Sequence, residues 1–132
     1  MKRLVLVLLV MVSFAFGSKD VNFYHDFESG AKAAKKEKKM MMIMLHIKGC
    51  PECAYMKDVV FKQHETAKFI SENFVNISLD IKDDYVPAAY TQIGVPTFYF
   101  TDPNGNVVHK QIGAVRGNKF LQVVQTAKSK YK

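Results

Sequence analysis

The segment Met40-Met41-Met42-Ile43-Met44-Leu45-His46-Ile47 is followed by Cys50-Pro51-Glu52-Cys53, and these two stretches decide the fold. The first is apolar but too short for a buried helix, so we expect a strand that is covered on both faces. Pro51 suits the first position of a helix, where its missing N–H would have had no partner. The sequence therefore predicts a strand, a tight turn, a cysteine pair and a helix, in that order.

The position of Cys50 predicts a reactive thiol. It falls at or next to the N-cap, where unpaired backbone N–H groups and the positive end of the helix dipole stabilise a thiolate. A purely structural disulfide is the first alternative. However, a disulfide that closes a ring of four residues stabilises the folded state by only about 2 kcal/mol, compared with about 4.7 kcal/mol for a loop of one hundred residues. The spacing thus favours a redox pair over a structural disulfide or a pair of metal ligands.

The length and the N-terminus indicate one exported domain. A chain of 132 residues is long enough for a single hydrophobic core that needs no disulfide to hold it. Residues 1–17 have a basic start, a short apolar run and small residues at the end, which is typical of a secretory signal peptide, with an uncleaved anchor as the alternative. Residues 18–132 then form the mature domain. The predicted location is the periplasm or the exterior, where disulfide chemistry is a standing task.

The remaining segments predict an α/β fold. Residues 21–24 suit a short edge strand or a lead-in. Strands are expected at 40–47, 74–81, 96–101 and 106–112, and helices at 26–39, from Pro51 onward, at 88–90 and at 118–130. The helix from Pro51 either kinks near 62–65 or ends there, with a new helix near Thr66. Parallel crossovers followed by a hairpin give a mixed central sheet with helices on both faces.

Two separated motifs in this order resemble the thioredoxin superfamily. The first is the C-x-x-C pair after a central strand, and the second is Gly94-Val95-Pro96-Thr97-Phe98 at the start of the hairpin. Within the superfamily, segments 53–57, 73–75 and 79–80 are most similar to exported bacterial thioredoxin-like proteins, including those called SoxW. The resemblance covers nearly all of the mature chain and implies a thioredoxin-like fold.

The resemblance also implies roles for individual residues. Cys50 corresponds to the attacking thiolate, Cys53 to the resolving thiol and Pro96 to a cis-proline that lies against the pair. The backbone of Val95 is expected to bind an extended substrate chain by strand addition. These are the catalytic and substrate-binding residues that we expect.

Several departures from the family pattern concern the tuning of the pair. Thioredoxins carry an aromatic residue before the first cysteine, where this chain has Gly49, and a buried aspartate six residues before it, where this chain has Met44. Pro51, Glu52 and His46 are therefore the candidates for tuning. His46 shares the strand parity of Met44 and is expected to point toward the same side, although a histidine in a strand is commonly just packed and hydrogen-bonded.

The predicted function is thiol–disulfide oxidoreduction without a cofactor. The resemblance favours a reductase of disulfides in exported proteins that is resupplied with electrons by a membrane protein. A disulfide oxidase or isomerase is the alternative within this chemistry. A copper-binding module is another, because thiolate and thioether ligands suit Cu(I), but methionines on opposite faces of one strand cannot share an ion. Zinc lacks suitable ligands, because the four histidines show no finger-like spacing to the cysteines.

The other partners follow from the charge and the motifs. The formal net charge is +7. The predicted helix 26–39 is rich in lysines, and a solvated face explains them better than a docking patch for an acidic partner. Nucleic acid is not expected, because these lysines lack interleaved aromatic residues and the protein is expected outside the cytoplasm. A non-catalytic adaptor would have no need for the intact pair Cys50 and Cys53. We expect a monomer.

Overall fold

A computed structural model describes residues 20–132 as a five-stranded mixed sheet with helices on both faces. The strand order is β1-β3-β2-β4-β5, with β1 and β2 parallel to β3, and with β4 antiparallel to both β2 and β5. The elements are β1 (Phe23–Tyr24), α1 (Phe27–Glu37), β2 (Met40–His46), α2 (Pro51–Asp58), α3 (His64–Asn73), β3 (Phe74–Asp80), β4 (Thr97–Thr101), β5 (Val107–Ile112) and α4 (Phe120–Lys130). This confirms the α/β, thioredoxin-like fold class.

The strand β2 lies at the centre of the sheet and is covered on both faces, as its sequence predicts. Every residue from Met40 to Leu45 is fully buried. Met40, Met42 and Met44 pack on the side of α2, α3 and α4, while Met41, Ile43 and Leu45 pack on the side of α1. Flexible methionine side chains fill these irregular spaces between strand and helices well.

Aromatic side chains fill the core beneath α4. The Phe98 ring on β4 lies 5.0 Å from the Phe120 ring and 6.1 Å from the Phe61 ring, measured between centroids. Tilted and edge-on contacts at such distances are the favoured geometries for aromatic pairs. These three residues tie the hairpin strand, the final helix and the segment after α2 into one cluster.

On the opposite face, a glycine allows a helix to approach the sheet closely. A Cβ atom at Gly30 of α1 would overlap the side chain of Ile77 on β3. The helix itself begins at an N-cap, Asp26, whose carboxylate accepts the Ser29 N–H at 2.8 Å. It ends at Lys38, which has a positive φ of 55°. The predicted helix 26–39 is therefore confirmed, with its ends trimmed to the two caps.

The segment after the cysteine pair divides into two helices. The helix α2 ends at Asp58, a single 3-10 turn covers Val60–Lys62, and α3 begins at His64. Of the two alternatives from the sequence, an end followed by a new helix is the one found. Val60 and Phe61 in the 3-10 turn are buried in the core, so the segment between the two helices packs against the sheet as they do.

The prediction of a short helix at residues 88–90 was wrong. These residues form a turn in which the Tyr90 N–H donates to the Pro87 carbonyl at 3.0 Å. The Tyr90 side chain decides this conformation, because its hydroxyl donates to the Gly105 carbonyl at 2.8 Å and its ring packs 5.2 Å from that of Tyr99. Tertiary contacts of one residue here outweigh a weak local helix propensity.

The N-terminal predictions are partly outside the described residues. The edge strand is present, because Phe23–Tyr24 pairs in parallel with β3. The signal peptide predicted at residues 1–17 lies outside the described range. Within residues 20–132, no helix is both long enough and apolar enough to cross a bilayer.

Candidate active site

The cysteine pair lies at the start of α2, directly after β2 and a short turn. Cys50 is the N-cap residue and Pro51 opens the helix, as the sequence predicted. A disulfide joins Cys50 to Cys53, with their Cα atoms 5.3 Å apart, and the Cys50 Sγ also accepts the Cys53 N–H at 3.1 Å. After reduction, the same N–H and the positive end of the helix dipole are in place to stabilise a thiolate on Cys50.

The two sulfurs differ in their access to other molecules. Cys50 is partly exposed, whereas Cys53 is only 4% exposed and belongs to the buried cluster that includes Met44 and Met56. A disulfide in another protein can therefore reach Cys50 but not Cys53. This asymmetry suits an attacking thiolate followed by an internal resolving thiol.

Glu52 forms an ion pair with Arg116, which lies in the loop after β5. Both carboxylate oxygens accept hydrogen bonds from the Arg116 Nη2, at 2.6 and 2.7 Å. The Arg116 guanidinium also stacks 4.1 Å from the centroid of the Tyr55 ring, and the Tyr55 hydroxyl accepts the Gly117 N–H at 3.3 Å. Hydrogen bonding to Glu52 raises the pKa of Arg116. These contacts join the loop after β5 to α2 and neutralise the carboxylate nearest the redox pair.

This ion pair gives a charge-dependent prediction for Cys50. We expect Glu52→Gln to move the thiolate titration of Cys50 to lower pH, because the Arg116 charge is then uncompensated. Arg116→Gln should move the titration to higher pH, because the carboxylate is then unpaired. Each change should be less than about one pH unit, since exposed charges are screened by solvent and salt. The rate of alkylation of Cys50 against pH, in a Cys53→Ala background, measures both.

The double variant of Glu52 and Arg116 is the control, and it should titrate close to the parent protein because both charges are removed together. If both single variants instead moved the titration in the same direction, the pair would act by positioning the loop rather than by charge.

A cleft of about 350 Å³ opens beside the cysteine pair. The side chains that line it include both cysteines and four other ionisable groups, those of His46, Lys48, Lys57 and Asp80. The Lys57 Nζ donates to the Ser78 hydroxyl of β3 at 2.9 Å. The structure thus places the predicted tuning residue His46 at the site, together with a lysine that the sequence analysis did not single out.

The charges around this cleft influence one another. Burial, followed by the Lys57 charge, lowers the pKa of His46 below its usual value of 6.5. Burial also lowers the pKa of Lys57. Hydrogen bonds from backbone N–H groups, that of Lys82 foremost, lower the pKa of Asp80. At neutral pH these three groups are therefore a neutral imidazole, a half-buried ammonium and a carboxylate.

The two predicted substrate-binding residues lie where the chain enters β4. The Val95–Pro96 peptide bond is cis. The Pro96 carbonyl accepts the Gly113 N–H at 2.8 Å, and the Thr97 hydroxyl donates to the Gly94 carbonyl at 2.7 Å. Val95 packs against the same core cluster as Cys50. These contacts fix the backbone of the segment that the resemblance assigns to substrate binding.

A metal centre finds little support in the described part of the chain. No group of three or more His, Cys, Asp or Glu side chains among residues 20–132 is arranged to hold an ion. The methionines of β2 that the copper alternative invoked are fully buried and divide between the two faces of the sheet. They serve as core residues.

Sequence reasoning missed Lys57 and Arg116, for different reasons. Lys57 stands four residues after Cys53, and residues at that spacing share one face of a helix, so the signal was present. Arg116 lies 64 residues from Glu52 along the chain, and nothing local in the sequence predicts that contact. Only the return of the chain after β5 brings these two side chains together.

A known plant protein is similar to most of this chain. The TPR repeat-containing thioredoxin TDX of Arabidopsis thaliana is 29% identical over 108 residues, which are 80% of this chain and 27% of that protein. The chain therefore spans little more than a quarter of that relative's length.

Solved structures show the same architecture at lower identity. A candidate disulphide-isomerase from Bacteroides thetaiotaomicron has a TM-score of 0.72 and 24% identity, covering 84% of this chain and 95% of that one. The periplasmic thioredoxin SoxS from Paracoccus pantotrophus, in its reduced form, has a TM-score of 0.60 and 15% identity. The match covers 71% of this chain and 100% of that one. The thioredoxin-like domain family matches residues 27–128. With that match over most of its length, and with a C-x-x-C pair at the start of α2, the chain belongs to the thioredoxin-like family.

Proposed function

We propose that the protein is an exported thiol–disulfide oxidoreductase that reduces disulfides in other exported proteins. The observation that carries the proposal is the asymmetric pair at the start of α2, in which a partly exposed Cys50 caps the helix and is bonded to a buried Cys53. A helix N-terminus favours the thiolate that attacks, and a buried neighbour resolves the product without leaving the protein.

The reaction begins from the reduced pair. The Cys50 thiolate attacks one sulfur of a substrate disulfide, forms a mixed disulfide and releases the other substrate sulfur as a thiolate. Cys53, as a thiolate, then attacks the Cys50 sulfur, and the second substrate sulfur leaves with its electron pair. The substrate gains two electrons and the enzyme pair is oxidised, which is the state that the structure contains.

Exposed apolar side chains near the Val95–Pro96 segment support a protein substrate. Ile93, in the loop before β4, is 87% exposed, and Ile112 at the end of β5 is 47% exposed. Ile112 is paired with Thr97, which directly follows Pro96. An extended substrate chain that bonds to the Val95 backbone would cover such apolar side chains, and strand addition requires little of the substrate sequence.

The proposed setting is the periplasm or the exterior. It rests on the signal-like residues 1–17 and on the likeness of the sequence to exported SoxW-type proteins. The periplasmic thioredoxin SoxS shares the fold. Outside the cytoplasm the oxidised pair needs a source of electrons, so we assign a membrane electron-donor protein as the second partner. The enzyme acts as a monomer in this proposal.

Trapping of substrates tests the function. In Cys53→Ala the resolving thiol is absent, so mixed disulfides on Cys50 should accumulate with exported proteins and be released by a reductant. Non-reducing electrophoresis of the full-length chain expressed with its N-terminal segment measures this. The double variant lacking both cysteines is the control. Failure to capture any partner through Cys50 would remove the main support for exchange.

The reduction potential decides between the two directions. A reduction potential of about −270 mV would mark a reductase, and one of about −120 mV would mark an oxidant. Equilibration of the Cys50–Cys53 pair with glutathione or dithiothreitol buffers, followed by alkylation, gives the potential. An oxidising value would favour the oxidase or isomerase alternative and overturn the proposed direction while leaving the exchange chemistry intact.

A further inference from the structure

The burial of Cys53 poses a chemical problem for the second half of the reaction. A thiolate in an apolar environment is disfavoured, yet Cys53 must lose its proton before it can attack Cys50. Cys53 is 4% exposed and packs in a cluster with Met44 and Met56, neither of which can stabilise a negative charge or accept a proton. The cleft that the pair lines contains side chains that can do both, Lys57 and His46.

Lys57 is placed to supply a positive charge. It lies one helical turn after Cys53 on α2, and both line the cleft. Its ammonium donates to the neutral hydroxyl of Ser78, so the charge is held in place without being neutralised by that contact. The ammonium also lies 5.9 Å from the centroid of the Phe23 ring, which is weakly favourable for a cation.

His46 is placed to accept a proton. It is the last residue of β2, on the same face as Met44, and it lines the cleft with Cys53. Burial and the Lys57 charge hold the pKa of His46 down, so the ring is neutral at pH 7. A neutral imidazole has a ring nitrogen that can accept a proton.

Other charged groups influence His46 and Lys57 from each surrounding element. Asp80 at the end of β3 and Asp84 in the following turn favour the charged form of His46, while His25 disfavours it. Asp58 on α2 and Asp80 favour the charged form of Lys57. Lys48, in the turn before Cys50, lines the same cleft and is exposed.

We propose that Lys57 and His46 together enable Cys53 to react: the Lys57 ammonium stabilises the Cys53 thiolate, and the His46 ring accepts the Cys53 proton. The thiolate then attacks the Cys50 sulfur, the Cys50–Cys53 bond forms, and the bond from Cys50 to the substrate breaks. The leaving substrate sulfur takes the electron pair and receives the proton from His46. Lys57 thus acts through its positive charge and is a positioning residue that transfers no proton. The inference rests on the proposed function.

The charge of Lys57 is tested on Cys53 alone. In a Cys50→Ser background, thiolate absorbance against pH reports the ionisation of Cys53 directly. Lys57→Met should move this titration to higher pH by about 1, which is a tenfold loss of thiolate at neutral pH. Lys57→Arg keeps the charge and should restore the parent titration. Lys48→Met removes an exposed charge from the same cleft and should cause a much smaller change.

The role of His46 is tested by the rate of the resolving step, in which Cys53 attacks Cys50. The resolving step is followed by stopped-flow release of a fluorescent thiol from a preformed mixed disulfide on Cys50. In the parent protein this rate should fall as the pH falls through the pKa of His46, because the protonated ring cannot accept a proton. His46→Gln should be about 10²-fold slower at neutral pH and lack that inflection. His64→Gln, at an exposed position on α3, should behave like the parent protein.

Two results would overturn the inference. One is an unchanged Cys53 titration in Lys57→Met, and the other is an unchanged rate and pH profile in His46→Gln. Neither readout depends on a physiological substrate. If Cys53→Ala captured no partner while these titrations changed as expected, the proposed function would fail and the inference about Cys53 would stand.

Discussion

Replacing Cys50 by serine is expected to abolish reduction of protein disulfides while leaving the fold in place. The chain has two cysteines, and the remaining one, Cys53, is 4% exposed and cannot reach a disulfide in another protein. A serine hydroxyl at the N-cap stays protonated at neutral pH and does not replace the thiolate. Loss of the nucleophile should lower kcat/KM by at least about a thousandfold.

The turbidity of reduced insulin, or the fluorescence of a disulfide-linked reporter peptide, measures this activity with dithiothreitol as electron source. Loss of a four-residue disulfide ring costs only about 2 kcal/mol, so circular dichroism should still show a folded protein. Cys53→Ser is the matched control, because it should still attack substrate once and stop at the mixed disulfide. Residual turnover in Cys50→Ser above the uncatalysed rate would contradict the assignment of Cys50 as the nucleophile.

The largest effect on stability is expected for Phe98→Ala. The Phe98 side chain is fully buried and packs against both Phe61 and Phe120. Truncation removes these contacts and leaves a cavity where the hairpin meets α4, which should cost about 3–5 kcal/mol of unfolding free energy. For a domain of this size the same loss lowers Tm by roughly 10–20 °C.

Thermal and urea unfolding of the oxidised protein measure both quantities. Tyr85→Ala is a suitable control, because that side chain is 77% exposed and its loss should change the free energy of unfolding by less than about 0.5 kcal/mol. A loss below about 1 kcal/mol for Phe98→Ala would mean that the cluster around Phe120 collapses to fill the space, and the packing argument would have to be revised.

The fold class and the centre of the site could be predicted from local patterns. The run from Met40 to Leu45 has no polar residue, so a strand of this length has to be covered on both faces. Within a helix, Pro51 is accommodated without loss only in the first turn, which places Cys50 at or next to the N-cap. These signals depend on residues that are neighbours in sequence, and the structure confirms each of them.

Local patterns were insufficient where side chains from distant segments compete with propensity. The short helix at 88–90 was wrong because the Tyr90 hydroxyl is bonded to Gly105, fifteen residues away. Likewise, the pairing of the Glu52 carboxylate with Arg116 could not be predicted, because these residues lie 64 positions apart in the chain. At Tyr90, contacts across the fold outweigh the few tenths of a kcal/mol by which neighbouring residues bias the backbone.

The sequence by itself determined the strand, the turn, the helix and the cysteine pair, because each depends on backbone sterics and on the alternation of apolar side chains along a short segment. The tertiary structure alone decided which charges surround the pair. It is the pairing of β2 with β3 that places His46 beside Asp80, and the packing of α2 on that sheet that brings Lys57 to Ser78. Electrostatic interactions depend on distance in space and on burial, and neither can be read from the order of residues along the chain.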